Sequence, residues 1–500
     1  MFLLSATFWS IMRVFIAYCI SLLIGILYGI FSATNLNRER WMLPLLDILQ
    51  SVPILGFFPV AVTILVVLFH GQRIGLELAA IFLIVTSQLW NIAFGVYETI
   101  KTFPKDLLEM TQSFGMNVTF TVEHIYLPAL VPTIIYNSGV SIAVGWYFLM
   151  ASEIITLGNV EVQLPGLGTA MMAYVSQGNL LGTFGVIGMI VLVNFITQWF
   201  IFRPLIEWSD LFKFGAVGSA PEEPRLVTIL RNSIPWQKIS EWINRLIQLG
   251  RRFQKSPVFS RVSHYLTFSA LAGLFGYFLY WMLKPPYPDI IREIPKSLFF
   301  TTLRVVGAVF LSVILSFPFV VKATQTPRNV KNIYLTAAIL GSIPAVIFYP
   351  LIVRGLGREN MELAAIILLL TGSFWYTLFN MLKGALMLPS TLVEMAHIFD
   401  IRGWWYYKTI LIPSMLPSLI TGAITAWGGA WNTSMVAEKV TFGQESFSLP
   451  GIGSLLIAAT AQTKHLLWVV LVMTLWIALI NTFFWKKWYR YTSEKYNFTE

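Results

Sequence analysis

The chain has 500 residues, of which 56% are hydrophobic and only 12% charged, with a formal net charge of +10. A water-soluble domain carries about 25% charged residues, so too little charge is available here to cover the apolar surface, and a soluble globular protein is excluded. The single cysteine, Cys19, excludes an internal disulfide and a cysteine-based metal cluster, and the five histidines stand too far apart to pair as ligands on one helix face.

A helix needs about 20 apolar residues to cross the hydrocarbon core, and helices are expected because backbone groups in lipid must be satisfied within the segment. In chain order, the first half predicts spans at 5–32, 42–69, 76–98, 126–150 and 180–202. Arg13 interrupts the first run and no small-residue cleavage site follows a short apolar core, so it reads as a retained helix rather than a signal peptide. Leu181 to Phe202 holds no charge over 22 residues. The segment 203–263 then carries ten Lys/Arg against five acids and contains the Pro-rich "SAPEEPR" at 219–225, a loop signal. Within it Trp236, Ile239, Ile243, Leu246 and Ile247 recur at helical spacing, which fits an amphipathic helix on the membrane surface or a simple tether. An extra apolar run follows at 264–283, and the second half predicts spans at 297–322, 333–353, 361–383, 409–436 and 466–485.

The halves are copies. A shift of 285 places "ELAAIFL" at 77–83 on "ELAAIIL" at 362–368, and it matches Trp90 with Trp375, Pro128 with Pro413, Trp146 with Trp431 and Glu153 with Glu438. It also matches "LPGLG" at 164–168 with "LPGIG" at 449–453. Upstream a shift of 291 matches Arg13 with Arg304, Ser51 with Ser342 and Pro53 with Pro344. A five-span unit reverses the side of the chain, so a second unit joined directly would enter inverted. One added helix restores parity and makes the two units parallel. Basic residues collect on the cytoplasmic side. The basic linker and tail therefore belong inside, 151–180, which has no Lys or Arg, belongs outside, and Met1 is placed outside. Arg73, Arg354 and Arg358 run against this balance.

Charged and polar residues inside apolar helices carry a cost and call for partners. Arg13 and Arg304 either pair with a carboxylate or snorkel, the more common outcomes, or attract an anion at the pathway. Gln50, Ser51 and Pro53 in the second span, matched by Ser342 and Pro344, mark a broken helix that lines a cavity or merely kinks. Thr86, Gln88 and Asn91, with Thr371, Ser373 and Asn380, line a path or bond neighbouring helices. Trp146 and Glu153, with Trp431 and Glu438, form an outer gate or simply solvated helix ends. "GILYG" at 25–29 is a small-xxx-small packing contact.

Between the third and fourth spans lies "LLEMTQSFGMNVTFTVEHIYLPAL" at 107–130, and its mate is "LVEMAHIFDIRGWWYYKTILIPSML" at 392–416. Glu109-Met110-Thr111, three residues, Gly115, nine residues and Ile125 to Leu127-Pro128 resemble the EAA loop of ABC importer permeases. Glu394-Met395-Ala396, Asp400 and Ile410 to Pro413 repeat that spacing, with Asp400 in place of glycine. Together with the paired Arg-Val, Pro, Trp…Glu and Leu-Pro-Gly signals, the whole resembles the nitrate/sulfonate/taurine/bicarbonate branch of these permeases in its fused, duplicated form. The resemblance implies an all-α polytopic membrane protein with two parallel five-helix type I (MetI-like) permease units plus one extra transmembrane helix, about 11 spans. The units would be 1–206 and 286–500, joined by a linker at 207–262 and the extra helix at 263–285.

The same resemblance implies the transmembrane core of an ATP-driven importer for a small anion, multi-pass in the inner (cytoplasmic) membrane. Its expected partners are two cytoplasmic ABC ATPase subunits, an extracytoplasmic solute-binding protein and the lipid bilayer, with no nucleic acid. The permease is not an enzyme and binds no cofactor or metal; ATP and Mg belong to the partner subunits. Each EAA loop would start a helix at its glutamate and enter one cleft of the ATPase dimer. A secondary transporter with parallel repeats is the alternative, and an intramembrane enzyme the third reading, for which no catalytic cluster has convincing spacing.

Overall fold

The structure, a computed structural model, describes residues 2–51, 54–101, 126–157, 160–209, 280–324, 326–341, 348–386, 390–442, 445–460 and 462–495, with single positions at 103, 113, 269, 273, 276, 277 and 343. Among them, eight helices are long and apolar enough to cross a membrane: Leu3–Ala33, Arg73–Lys101, Pro128–Glu153, Leu180–Ile206, Ile294–Thr324, Met361–Ala385, Gly403–Ala437 and Thr463–Thr492. They are the first, third, fourth and fifth expected spans of each half. The 207–262 linker and the extra run at 264–283 lie almost wholly outside the described residues.

The second span is described in two stretches, with 52–53 outside the described residues. After α1 (Phe2–Ala33), it consists of α2 (Leu36–Ser51) and α3 (Ile54–Leu68). The first half continues through α4 (Arg73–Lys101), α5 (Leu127–Glu153), β1 (Ile154–Leu157), β2 (Val160–Gln163), α6 (Leu167–Ser176), α7 (Leu180–Ile196) and α8 (Arg203–Ser209). The second half repeats the order as α9 (Ile294–Thr324), α10 (Pro327–Gly341), α11 (Tyr349–Leu356), α12 (Met361–Leu386), α13 (Ser390–Ile398), α14 (Gly403–Tyr406) and α15 (Ile412–Ala437). It ends with β3 (Lys439–Phe442), β4 (Glu445–Ser448), α16 (Ile452–Ala459), α17 (Thr463–Ile480) and α18 (Lys486–Lys495). The α10 and α11 pair is the second span of this half, separated by a bend at Ile343. The two antiparallel hairpins are an addition to the all-helical expectation; Ile154 pairs with Gln163 in one and Lys439 with Ser448 in the other.

Within each half the first and fourth-span helices flank the third: α1 and α5 pack on α4, and α9 and α15 on α12. Gly25 and Gly29 permit the α1–α4 approach. A Cβ at Gly25 would lie 2.8 Å from Ile92 Cγ2, and one at Gly29 would lie 2.6 Å from Val96 Cβ. The expected packing role of "GILYG" is therefore met. The halves interlock through their second-span helices, because α2 and α3 pack on α17, α3 also on α15, and α10 on α5 and α7. Tyr136 of α5 stacks on Tyr334 of α10 with centroids 5.7 Å apart. One apolar core runs across both halves, from Ile84 and Trp146 to Trp431 and Met473.

Candidate functional site

Two matched ion clusters lie where each hairpin meets its bundle. Arg13 Nε and Nη2 donate to the Glu77 carboxylate at 2.6 and 2.8 Å, and Nη1 donates to Glu153 Oε1 at 2.9 Å and to the Pro165 carbonyl at 2.8 Å. Ser10 Oγ also donates to Glu153 Oε1 at 2.6 Å, and Gly168 N to Oε2 at 2.6 Å. The second half repeats this atom for atom. Arg304 bonds Glu362 at 2.7 and 2.6 Å, Glu438 Oε1 at 2.8 Å and the Pro450 carbonyl at 2.9 Å. Thr301 Oγ1 and Gly453 N complete the Glu438 shell at 2.6 and 2.7 Å. Arg13 and Arg304 thus pair with carboxylates, one of the three readings that their sequence positions left open.

The clusters explain the Leu-Pro-Gly repeats. The first N–H groups of a helix have no intrahelical acceptor. At α6 and α16 they are met from elsewhere: Leu167 N donates to Ser10 Oγ and Ile452 N to Thr301 Oγ1, each at 2.9 Å, beside the glutamate. A negative carboxylate also suits the positive end of a helix. Glycine precedes each helix because the carboxylate occupies the side-chain space. A Cβ at Gly166 would sit 2.1 Å from Glu153 Oε1, and one at Gly451 2.2 Å from the Glu438 carboxylate.

Between the halves lies a cavity of about 150 Å³. The first half contributes Gln50, Ser87, Trp90, Asn91, Tyr147 and Gln198 to its wall, and the second half Tyr334, Thr371, Trp375, Tyr376, Asn432 and Thr433. Among the described lining residues none is acidic, basic or histidine. Asn432 also joins the halves, since its Oδ1 accepts the Ile54 amide, the first of α3, at 2.6 Å.

The expected pathway residues divide. Gln50, Asn91 and Thr371 line the cavity. Arg13, Arg304, Thr86, Gln88, Ser373 and Asn380 are not among its lining residues. Thr86 donates to the Leu83 carbonyl at 2.8 Å, Ser373 contacts Ser312 at 2.7 Å, and Asn380 donates to the Tyr376 carbonyl at 2.9 Å, so these three serve the helices. Gln88 is fully buried beside Ser21 and Gly145. Ser51 ends α2, its side chain outside the description; Pro53, Ser342 and Pro344 lie outside the described residues. Trp146 and Trp431 are buried in the common core, and Glu153 and Glu438 in the ion clusters.

Of the first EAA-like loop, Glu109, Met110, Thr111 and Gly115 lie outside the described residues, while Leu127 and Pro128 open α5. In the second loop, Glu394 sits in the middle of α13 rather than at its start, because the helix already begins at Ser390. Glu394 and Met395 are exposed and Ala396 is buried. Asp400, which stands where the pattern has glycine, adopts φ 51°. Aspartate tolerates this region better than most residues. Its amide neighbour Ile401 closes the helix on the Ala396 carbonyl at 2.8 Å, a Schellman ending, and Arg402 Nε lies 2.5 Å from its carboxylate. Pro413 enters the first turn of α15, where its missing N–H costs least.

Sequence reasoning missed Glu77 and Glu362, Ser10 and Thr301, and the cavity residues Trp90 and Tyr147. The glutamates were legible as the first letter of the repeated "ELAA", a carboxylate held at one position in two apolar helices.

Curated relatives agree with this architecture. The bicarbonate transport system permease protein CmpB of Synechococcus elongatus is 28% identical over 159 residues, covering 31% of this chain and 54% of the relative. The nitrate import permease protein NrtB of Leptolyngbya laminosa is 24% identical over 155 residues, covering 30% and 53%. The putative aliphatic sulfonates transport permease protein SsuC of Escherichia coli is 30% identical over 122 residues, covering 24% and 43%. The chain thus spans about half the length of the curated relatives it matches. The family described as the binding-protein-dependent transport system inner membrane component matches twice, at 23–203 and 301–485. With more than half of its residues inside that doubled match, this chain belongs to the binding-protein-dependent transport system inner membrane components, as a multi-pass membrane protein carrying two copies of the unit.

Proposed function

We propose that this chain supplies both halves of the transmembrane core of an ATP-driven importer for a small anion. The observation that carries the reading is the cavity at the interface of the two family units, to whose described wall both contribute uncharged polar and aromatic side chains. The names of the relatives, which carry bicarbonate, nitrate and aliphatic sulfonates, support the anion class. The hairpin end faces the solute-binding protein outside. The two EAA-like loops face two ATPase subunits inside, which bind and hydrolyse the ATP. Glu394, exposed on α13, offers its carboxylate to a basic group on its ATPase, and Glu109 does so in the first loop.

The test is uptake by proteoliposomes holding the chain, its ATPases and its solute-binding protein. Uptake should require ATP and a loaded binding protein. Glu109→Arg and Glu394→Arg should leave the chain inserted and the ATPases retained on pull-down, yet cut transport per ATP at least tenfold. Uptake driven by an ion gradient without ATP would establish a secondary transporter instead.

A further inference from the structure

We infer that Glu98 and Lys383 form a charge-selective gate at the cytoplasmic exit of the transport pathway, in which Lys383 is the cation offered to a departing anion and Glu98 is the counter-ion that the anion displaces. The inference rests on the importer reading for the cargo and its direction, and on geometry for the gate. The two residues are one position in two copies, since the shift of 285 carries 98 onto 383. They face each other across the halves, with Lys383 Nζ 4.0 Å from Glu98 Oε1. Equivalent residues of two related copies meet where the two-fold axis between the copies passes, so this contact marks the axis. α4 packs on α1, α3 and α5 of its own half, and α12 on α9, α11 and α15 of its own. The tips of two long, exposed side chains therefore bridge the space between these two helices.

The cavity lies on the same line. Asn91 and Tyr376, also matched by the shift of 285, line it from α4 and α12. Glu98 and Lys383 each follow seven residues later, which is two helical turns on the same face and about 10 Å further along. Glu77, in the ion cluster at the hairpin end, stands 21 residues before Glu98 on α4, about 30 Å away. The pair thus lies at the end opposite the hairpins, where each third span leads into its EAA-like loop. An exposed ion pair is a weak contact, so an anion reaching Lys383 replaces Glu98 at little cost, and a site on a pathway must hold its ion weakly enough to let it go. An ammonium suits this task, as a point charge on a flexible stem. Two identical subunits would place like charges on the axis, where they repel. Duplication within one chain lifts that restriction, and here one copy supplies the carboxylate and the other the cation.

The test uses the full chain with its ATPases in inside-out membrane vesicles, with Cys19→Ser and Thr425→Cys leaving one thiol on the cavity wall. Two membrane-impermeant thiosulfonate reagents, one bearing a sulfonate and one a quaternary ammonium, approach it from the cytoplasmic side. The readout is the ratio of anionic to cationic labelling rates. Glu98→Gln and Lys383→Gln break the same ion pair. Glu98→Gln leaves the cation and should raise the ratio about fivefold, whereas Lys383→Gln leaves the carboxylate and should lower it about fivefold, the effect of one unit charge at close range in water. A pair that merely staples the halves would move both variants alike, so shifts in one direction, or none, overturn the gate. The exchanged variant Glu98→Lys/Lys383→Glu should restore the wild-type ratio, and a ratio that stays displaced equally overturns it. ATP-driven uptake measured in parallel separates the two claims. Opposite shifts without ATP-driven uptake of any small anion keep the gate and remove the importer; ATP-driven uptake with parallel or absent shifts keeps the importer and removes the gate.

Discussion

Arg13 Nη1 meets Glu153 Oε1 at 2.9 Å across 140 positions of sequence, and Arg304 meets Glu438 at 2.8 Å across 134. These contacts fasten the N-terminal half of one transmembrane helix to the C-terminal end of another, and the Leu-Pro-Gly turn to both. Removing one partner of a buried ion pair leaves the other uncompensated and costs about 3–5 kcal/mol. Arg13→Leu and Arg304→Leu should each lower the thermal unfolding midpoint in nanodiscs clearly. A midpoint equal to wild type would show that the clusters are not what holds the hairpins.

The clusters are unequal in one respect. The Glu77 side chain is 22% exposed and that of Glu362 is 55% exposed. A pair open to water is worth about 0–1 kcal/mol, so Glu362→Gln should be nearly silent and Glu77→Gln should be the more damaging. Paired melting curves of the two variants decide this, and the reverse order would refute it.

Gly166→Ala and Gly451→Ala should both destabilise, because each new methyl would meet a glutamate carboxylate fixed by its arginine. Gly188→Ala is the control: it lies inside α7 with nothing within 4 Å of an added Cβ. Alanine in a helix interior is favoured over glycine by roughly 0.5–1 kcal/mol. Limited proteolysis at the hairpins should increase in the first two variants alone.

Asp400 holds a left-handed conformation that costs most side chains about 1–2 kcal/mol. Asp400→Gly should preserve or steady the ending of α13, and Asp400→Val should fray it. Hydrogen exchange at the Phe399 and Ile401 amides, which bond the carbonyls of Met395 and Ala396, reports the difference directly. Equal exchange in both variants would dismiss the backbone argument.

Asn432→Leu should orphan the Ile54 amide at the first residue of α3. An unpaired buried donor costs about 1–3 kcal/mol. The variant should therefore melt earlier and loosen the contact between halves, read as increased cross-half cysteine cross-linking scatter between α3 and α15. Asn432→Asp, which retains the acceptor, should restore most of the loss.

Several features of this protein are determined by sequence alone. Apolar runs near 20 residues admit only membrane-spanning helices, since lipid offers the backbone no other partner. The matched positions of Arg13 and Arg304, or of "LPGLG" and "LPGIG", reveal the duplication because substitution leaves spacing intact. The proline at 53 signalled a disturbed second span, but a kink and a break share that signal. What only the tertiary structure decided is partnership. Arg13 could have faced lipid headgroups, an anion or a carboxylate, and the choice depended on where Glu77 and Glu153 arrive from other helices. The cavity likewise required both halves to meet. Trp90 and Tyr147 read as ordinary apolar-helix residues, because periodicity shows that a helix has an inner face but not which neighbour covers it, and a cavity wall becomes visible only when the neighbour is in place.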